Sequence, residues 1–498
     1  MLAWFLLIVL LAYFFYYQFY LRRKHLPPGP LPLPFAGNVP TILNGDDLYD
    51  IMRRWRAKYG PVFTIWLGPK PHVLICDYEL IRQTLIREPE AYGARDRNFL
   101  THYFNGAEYG ILMSDGPRWK EQRRFTLHVL RDFGLGKAPL EQRVLEEIHK
   151  LELDIDQQLK TTSILSLDLG IELLAGNLIN DVLFGYTFEK DDPKFTYLKH
   201  LLFEHLPLLY SNRGALMTCY PWLRHLPYFR QMHQRIHSGR DVILDFLKAE
   251  IDAHLEQTDS GSEPTDYTAA YLAEIQKRSE NQEDMGYFSE WQLLQACYDL
   301  WPGGTENSVN TLRWAFLYMI RFPEIQEKVR LEMESVVGQR PVRMSDRAVL
   351  PYTVATIQEI QRLANILPMS PPHKTTRETE VAGFRLPKGT VVCPLTSFLH
   401  CSEEYFEQAD AFRPERFLTS IGSLKKCDYL MPFGIGKRMC LGESLAKMEL
   451  FLIFANLLHR YKLSIPPNSE LPSLKRQLGI TLTPKPYLCS VEPVYPID

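Results

Sequence analysis

Ten residues near the carboxy terminus, Phe433-Gly434-Ile435-Gly436-Lys437-Arg438-Met439-Cys440-Leu441-Gly442, set one cysteine among three glycines and a guanidinium. A thiol in such a loop suits a thiolate ligand to a transition metal such as iron. Gly436 and Gly442 are expected to supply a bend that lets backbone amides approach the Cys440 sulfur, and the apolar run Leu445 to Leu452 reads as a helix whose N-terminus sits beside it. Both features lower a thiol's pKa and favour the anion. Five fixed positions, Phe-x-x-Gly-x-Arg-x-Cys-x-Gly, recur by accident in a chain of this length with a probability on the order of one in ten thousand.

Three further clusters carry polar groups at spacings that suit binding or proton chemistry. In Trp119-Lys120-Glu121-Gln122-Arg123 an indole N–H and a guanidinium stand at i and i+4 on one helix face, a pair able to hydrogen-bond a carboxylate. Glu359-Ile360-Gln361-Arg362 lies in a helical pattern with Val354, Ile357, Ile360 and Leu363 at every third position, and the i, i+3 spacing lets the glutamate meet the arginine. Pro302-Gly303-Gly304-Thr305-Glu306-Asn307-Ser308 falls midway along a longer helical pattern. Pro302 removes a backbone donor and collides with the carbonyl of Tyr298, while two glycines weaken the helix further. A kink is expected, with an opening where a diatomic ligand and water enter.

The cysteine decapeptide resembles the haem-binding loop of the cytochrome P-450 family, the haem-thiolate monooxygenases. The resemblance runs from about residue 27 to the C-terminus, and Arg118 to Leu127 with Arg131-Asp132-Phe133-Gly134 is similar to the microsomal branch that metabolises drugs and fatty acids. It implies a mainly α fold with small β-sheets, haem b as cofactor, and Cys440 as proximal iron ligand, whose thiolate pushes electron density into the iron and promotes O–O cleavage. It also implies haem contacts from Arg95, Trp119, Arg123, His373, Phe433 and Arg438, mainly at the propionates. Glu359, Arg362 and Arg416 resemble the family's Glu-Arg-Arg triad, a structural set of buried charges that needs complete pairing. On the distal helix Gly303, Gly304 and Glu306 match the oxygen-binding segment, whereas Asn307 stands in place of the usual threonine and Ser308 follows. An amide relays protons less readily than a hydroxyl, so Glu306 and Ser308 are expected to share the proton route to dioxygen. Asparagine at that position also occurs in relatives that isomerise peroxides without a reductase. A peroxide isomerase or dehydratase is therefore the rival reading, and a non-catalytic haem binder a second.

These groups must be brought together by elements spread over most of the chain. Ser289-Glu290-Trp291-Gln292 has capping-box form and opens the long distal helix, which runs to Phe322, and Pro323 begins another helix that closes near Gly338. With 498 residues, 46 % of them hydrophobic, and no repeat or long Gly/Ser linker, residues 41–498 read as one catalytic domain. Eight scattered cysteines without a CxxC pair, and no Asn-x-Ser/Thr sequon, fit a domain in a reducing compartment. A formal net charge of -3 excludes general nucleic-acid binding.

The amino terminus departs from this soluble character. Residues 2–21 are apolar or aromatic apart from Gln18, and Arg22-Arg23-Lys24-His25 follows. Residues 1–21 thus read as a transmembrane signal anchor that leaves the remainder on the cytoplasmic side of the endoplasmic reticulum membrane. Residues 22–40, basic and then proline-rich, read as a stiff extended spacer between membrane and globule. Lys120, Arg123, Arg124, Arg131, Lys425, Lys426 and Lys437 suit an acidic electron donor, by resemblance NADPH–cytochrome P-450 reductase, with cytochrome b5 as an additional donor. The apolar stretch 200–229 reads as a membrane-dipping roof over a site for small lipophilic substrates such as xenobiotics, fatty acids or steroids, among them Leu201, Leu202, Phe203, Leu206, Leu208, Leu209, Tyr210, Trp222, Leu223 and Phe229.

Overall fold

The structure, a computed structural model, describes residues 2–44, 48–97, 106, 108–133, 138–202, 208, 211–257, 263–367, 369–477 and 481–496. Its longer helices are α1 (Leu2–Tyr16), α2 (Leu48–Tyr59), α3 (Gly116–Asp132), α4 (Ala138–Leu159), α5 (Asp168–Phe184), α6 (Pro227–Gln257), α7 (Tyr267–Glu280), α8 (Glu290–Arg321), α9 (Pro323–Val337), α10 (Pro351–Ala364) and α11 (Glu443–Arg460). The sheets are small, so the architecture is mainly α.

Helix α8 forms where the sequence places it. The Ser289 hydroxyl accepts the N–H of Gln292 at one end, Pro323 stops it at the other, and Gly338, at φ +63°, ends α9. From Val309 to Ile320 only Arg313 escapes full burial, the signature of a helix enclosed on all sides. Val309, Leu312 and Phe316 pack among Leu174 and Leu178 of α5 and Leu450 and Phe454 of α11. The amino-terminal half, with Leu293 and Cys297, packs against Ile243 and Leu247 of α6.

The largest sheet contains β1 (Val62–Leu67), β2 (Lys70–Ile75), β3 (Ala94–Arg95), β4 (His373–Lys374) and β5 (Val391–Pro394), in the order β1-β2-β5-β4-β3. Only the β2–β5 pairing is parallel. Its register sets Arg95 directly opposite His373.

Helix α1 continues into an apolar window, Trp4–Leu21, with a mean hydropathy of 1.7 and few buried side chains, long enough to cross a membrane. The proline-rich segment, read as a stiff extended spacer, is laid against the sheet edge. The Thr64 N–H donates to the Pro28 carbonyl at 2.9 Å, Asn38 N–H to the Trp66 carbonyl at 2.7 Å, and Trp66 N–H to Asn38 Oδ1 at 2.8 Å. Prolines cannot donate, but their carbonyls accept from the open edge of β1 and cover it. Gly29 passes so close that a Cβ there would lie 1.9 Å from the Thr64 oxygen.

Candidate functional site

The cysteine loop is closed by the Cys440 N–H donating to the Phe433 carbonyl at 2.9 Å. Gly434 and Gly436 make its bend, at φ +72° and +80°. A Cβ on Gly436 would lie 2.3 Å from the Leu85 carbonyl oxygen, so only glycine fits there. Gly442, expected to share the bend, has φ −91° and caps α11. Its N–H points to the Cys440 sulfur.

Of the eight cysteines only Cys440 is exposed; five are buried and two half-buried. The surrounding protein nevertheless withdraws water from its sulfur and raises the thiol pKa, against the Gly442 amide and Arg123, which lower it. The expected lowering is therefore reversed. One amide and the start of a helix do not offset desolvation of a thiolate, and the anion needs a cationic centre beside it.

Arg95, Trp119, Arg123, His373 and Arg438 converge beside that loop. The Arg438 guanidinium lies 3.8 Å from the centroid of the Trp119 ring, and Arg123 lies 5.8 Å from the same ring. Arg438 donates to the carbonyls of Gly93 (3.1 and 3.0 Å) and Ser114 (2.8 Å), Arg123 to Met439 O (2.7 Å) and Arg95 to Pro371 O (2.6 Å). His373 Nδ1 meets Tyr92 O at 2.8 Å. Among the described residues no carboxylate forms an ion pair with Arg95, Arg123 or Arg438, and Arg95 Nε and Arg438 Nη1 are buried without a partner. Burial, then mutual repulsion, lowers Arg438 to about 8 and Arg95 to about 10, and brings His373 down to about 3. Such an excess of buried positive charge has the chemistry of a receptor for a ligand bearing carboxylates. Gly93 and Ser114, which orient Arg438, carry no signal in the sequence because they act through backbone carbonyls.

Helix α8 runs continuously through Pro302, as expected of a helix from Ser289 to Phe322. Side chains bind carbonyls one turn back around the proline: Thr305 Oγ1 to Trp301 O (2.9 Å), Asn307 Nδ2 to Gly303 O (2.8 Å) and Thr311 Oγ1 to Asn307 O (2.8 Å). Gly303 and Asn307 are exposed on an otherwise buried segment, one turn apart on the same face. Gly304 faces α5, where a Cβ would lie 2.7 Å from Ile179. Glu306 and Ser308, expected to act together, diverge. Glu306 accepts from the Thr481 hydroxyl at 3.0 Å, and burial raises it to about 7. Ser308 donates to Glu449 of α11 at 2.8 Å, and burial raises that carboxyl to about 8. Residues two apart on a helix point about 200° apart, so Glu306 and Ser308 face nearly opposite sides of α8. Thr481 and Glu449 were not legible as partners, because 175 and 141 residues separate them from the groups they bind.

Glu359, Arg362 and Arg416 assemble on α10 and the segment after Phe412. Glu359 accepts from Arg362 at 2.7 and 2.9 Å and from Arg416 at 3.0 Å, with Glu359 and Arg362 wholly buried. In the 200–229 stretch Leu201 and Leu202 belong to the core, while Trp222 is exposed. Phe203, Leu206, Leu209 and Tyr210, and Gly134 after α3, lie outside the described residues.

The family profile described as Cytochrome P450 matches residues 27–491. The chain belongs to the cytochrome P450 family. It is 35 % identical to cytochrome P450 2B19 of Mus musculus over 93 % of both chains, and 35 % identical to cytochrome P450 2B4 of Oryctolagus cuniculus over 93 % of both. To cytochrome P450 2J2 of Homo sapiens it is 38 % identical, over 95 % of this chain and 92 % of the relative. The protein is a haem b monooxygenase of small lipophilic compounds that consumes dioxygen and takes electrons from a redox partner. The unbalanced guanidinium cluster beside the one exposed thiol fits the two propionates and the iron of that haem.

Proposed function

We propose that Cys440 would bind the haem iron through its sulfur, that Arg95, Trp119, Arg123, His373 and Arg438 would hold the propionates, and that Phe433 closes the Cys440 loop by accepting the Cys440 N–H. The observation that carries this reading is the convergence of three guanidiniums without an ion-paired carboxylate upon the only exposed cysteine. When bound, the haem supplies dioxygen activation and oxygen transfer. Anionic propionates would relieve the repulsion among Arg95, Arg123 and Arg438, and the iron would supply the positive centre that a desolvated thiolate needs. Glu359, Arg362 and Arg416 act structurally, fixing α10 against the segment before the cysteine loop.

On the distal side, Asn307 commits its Nδ2 hydrogen bond to Gly303 O. Its Oδ1 remains as the acceptor that orients water at the opening beside Gly303, while Gly304 keeps α5 close. Glu306, near neutral pKa, exchanges protons through Thr481. Ser308 fixes Glu449 and so ties α8 to α11. Lipophilic substrates approach beneath the 200–229 stretch, where Trp222 faces outward.

The electron donor is NADPH–cytochrome P450 reductase, with cytochrome b5 as a second donor. It docks on the cysteine side, where Arg124, Arg131 and Lys425 are exposed. Lys120 and Lys437 share Glu90, Lys426 pairs with Asp428, and Arg123 turns inward to Met439. The apolar helix anchors the chain in the endoplasmic reticulum membrane with the catalytic domain in the cytosol, as the basic cluster Arg22-Arg23-Lys24 after it directs.

Two arms test this reading. Purified protein receives NADPH, reductase and a panel of fatty acids and drug-like compounds, or hydroperoxides without reductant. Product in the reductase arm is expected; product only in the hydroperoxide arm assigns the chain to the peroxide isomerases. Cys440→Ala is expected to abolish the red-shifted Soret band of the reduced carbon-monoxide complex, and retention of that band would overturn the ligand assignment.

A further inference from the structure

Helix α6 carries His233 and His237 one turn apart, both half-buried on the same side. Their Nε2 atoms stand 3.0 Å apart, with ring centroids separated by 4.1 Å and the planes inclined at 49°. Nothing in the haem chemistry uses this pair. Two imidazole nitrogens bound to one ion at about 2.0–2.1 Å and at right angles to each other are separated by about 2.9 Å, whereas a tetrahedral angle opens that separation to about 3.3 Å. At 3.0 Å the two rings share a hydrogen bond, and an ion that took the place of the shared proton would need little movement of either ring, since this spacing is close to the right-angled case of adjacent ligands in the tetragonal field of Cu(II) or Ni(II).

We propose that His233 and His237 form a surface site for a divalent transition-metal ion, Cu(II) above all. The ion bridges the two Nε2 atoms and staples one turn of α6. Imidazole selects Cu, Ni and Zn, and Cu(II) binds most tightly in the general order of divalent ions. Hard cations such as Ca(II) and Mg(II) are disfavoured because they require oxygen ligands. The nearest charges agree: Arg224 and His225 act on His233, and Arg240 and Asp241 on His237. Asp241 is engaged by Arg240 at 2.9 Å. Metal ligation takes the neutral ring, and partial burial, then Arg224 beside His233 and Arg240 beside His237, act in that direction. Among the described residues no group of three or more histidine, cysteine or carboxylate side chains forms here, so the proposal rests on the two imidazoles alone. Helix α6 packs over the amino-terminal half of α8, so a staple at this turn stiffens an element that lies against the distal helix.

The test uses tag-free, full-length, haem-loaded protein. CuCl2 is titrated by equilibrium dialysis, with metal analysis, against the wild type and against His233→Asn, His237→Asn and the double variant. Circular dichroism and the haem spectrum check that each variant is folded. One copper per chain is expected to depend on the pair, with each single variant weakening that copper by about tenfold or more and the double variant losing it. Hydrogen exchange of the amides between residues 233 and 241 slows on copper binding in the wild type alone. A loss of affinity below that threshold, a double variant that retains the copper, or exchange that copper leaves unchanged would each overturn the proposal.

Discussion

Replacing Glu359 by glutamine preserves the shape of the side chain and removes only its charge. The carboxylate collects four N–H donors: Arg362 Nε at 2.7 Å and Nη2 at 2.9 Å, Arg416 Nε at 3.0 Å and the Arg413 backbone at 2.8 Å. A glutamine offers one oxygen and one NH2 group, so at least one arginine N–H is turned against another donor. The wholly buried Arg362 keeps its bonds to the carbonyls of His400 and Ala409 but loses its counter-charge. Breaking one partner of a buried pair costs about 3–5 kcal/mol. That is a large share of the roughly 5–15 kcal/mol by which domains are stable. An exposed pair, Lys328 with Glu415 at 2.9 Å, provides the comparison, and Lys328→Met there costs about 0–1 kcal/mol. Urea unfolding followed by tryptophan fluorescence, at matched haem loading, measures both, together with the yield of haem-loaded protein. A Glu359→Gln loss no larger than the Lys328→Met loss would refute the assignment of this network as a keystone of the fold.

Three other outcomes are expected. Gly436→Ala forces a left-handed backbone at about 1–2 kcal/mol and drives a Cβ against the Leu85 carbonyl. It should therefore cut haem loading, whereas Gly442→Ala, with φ −91° and open space around it, costs under about 1 kcal/mol by thermal unfolding. Glu449, raised to about 8 from an ordinary 4.5, stays protonated in the folded state while the unfolded chain releases the proton. Its contribution to stability is present in full below pH 4.5 and is lost as pH rises towards 8. The slope is at most about 1.4 kcal/mol per pH unit, and Glu449→Gln should flatten the stability profile in that window, as a urea series from pH 5 to 8 would show. Asn307→Thr restores a hydroxyl one turn after Gly303 and should raise the product formed per NADPH consumed; an unchanged ratio would show that the amide does not limit proton delivery.

Much of the fold was legible in local patterns. The start and end of α8 follow from Ser289 and Pro323, and the apolar window before Arg22 announces α1, because caps and hydrophobic runs act over a few residues. Less was legible where a local signal met a tertiary partner. The proline-rich segment 28–38 looks like a spacer until the unpaired edge of β1 accepts it. Pro302 removes one backbone donor inside α8, and the enclosing core with three side-chain hydrogen bonds accompanies a helix that stays continuous past it.

The sequence alone marked Cys440 as the cysteine of a loop that resembles the family's haem-binding loop, and Asn307 as a departure from the threonine of the resembling segment, since such a resemblance is a matter of residue type at fixed spacing. Tertiary structure alone decided which groups face one another. It set Arg95 against His373 across two strands, drew three guanidiniums together without a carboxylate to balance them, and turned Glu306 and Ser308 to Thr481 and Glu449. Spacing along a helix fixes only the relative direction of two side chains. What lies in that direction is supplied by segments 141 and 175 residues away for Ser308 and Glu306, and burial outweighed the local dipoles that would have lowered the Cys440 pKa.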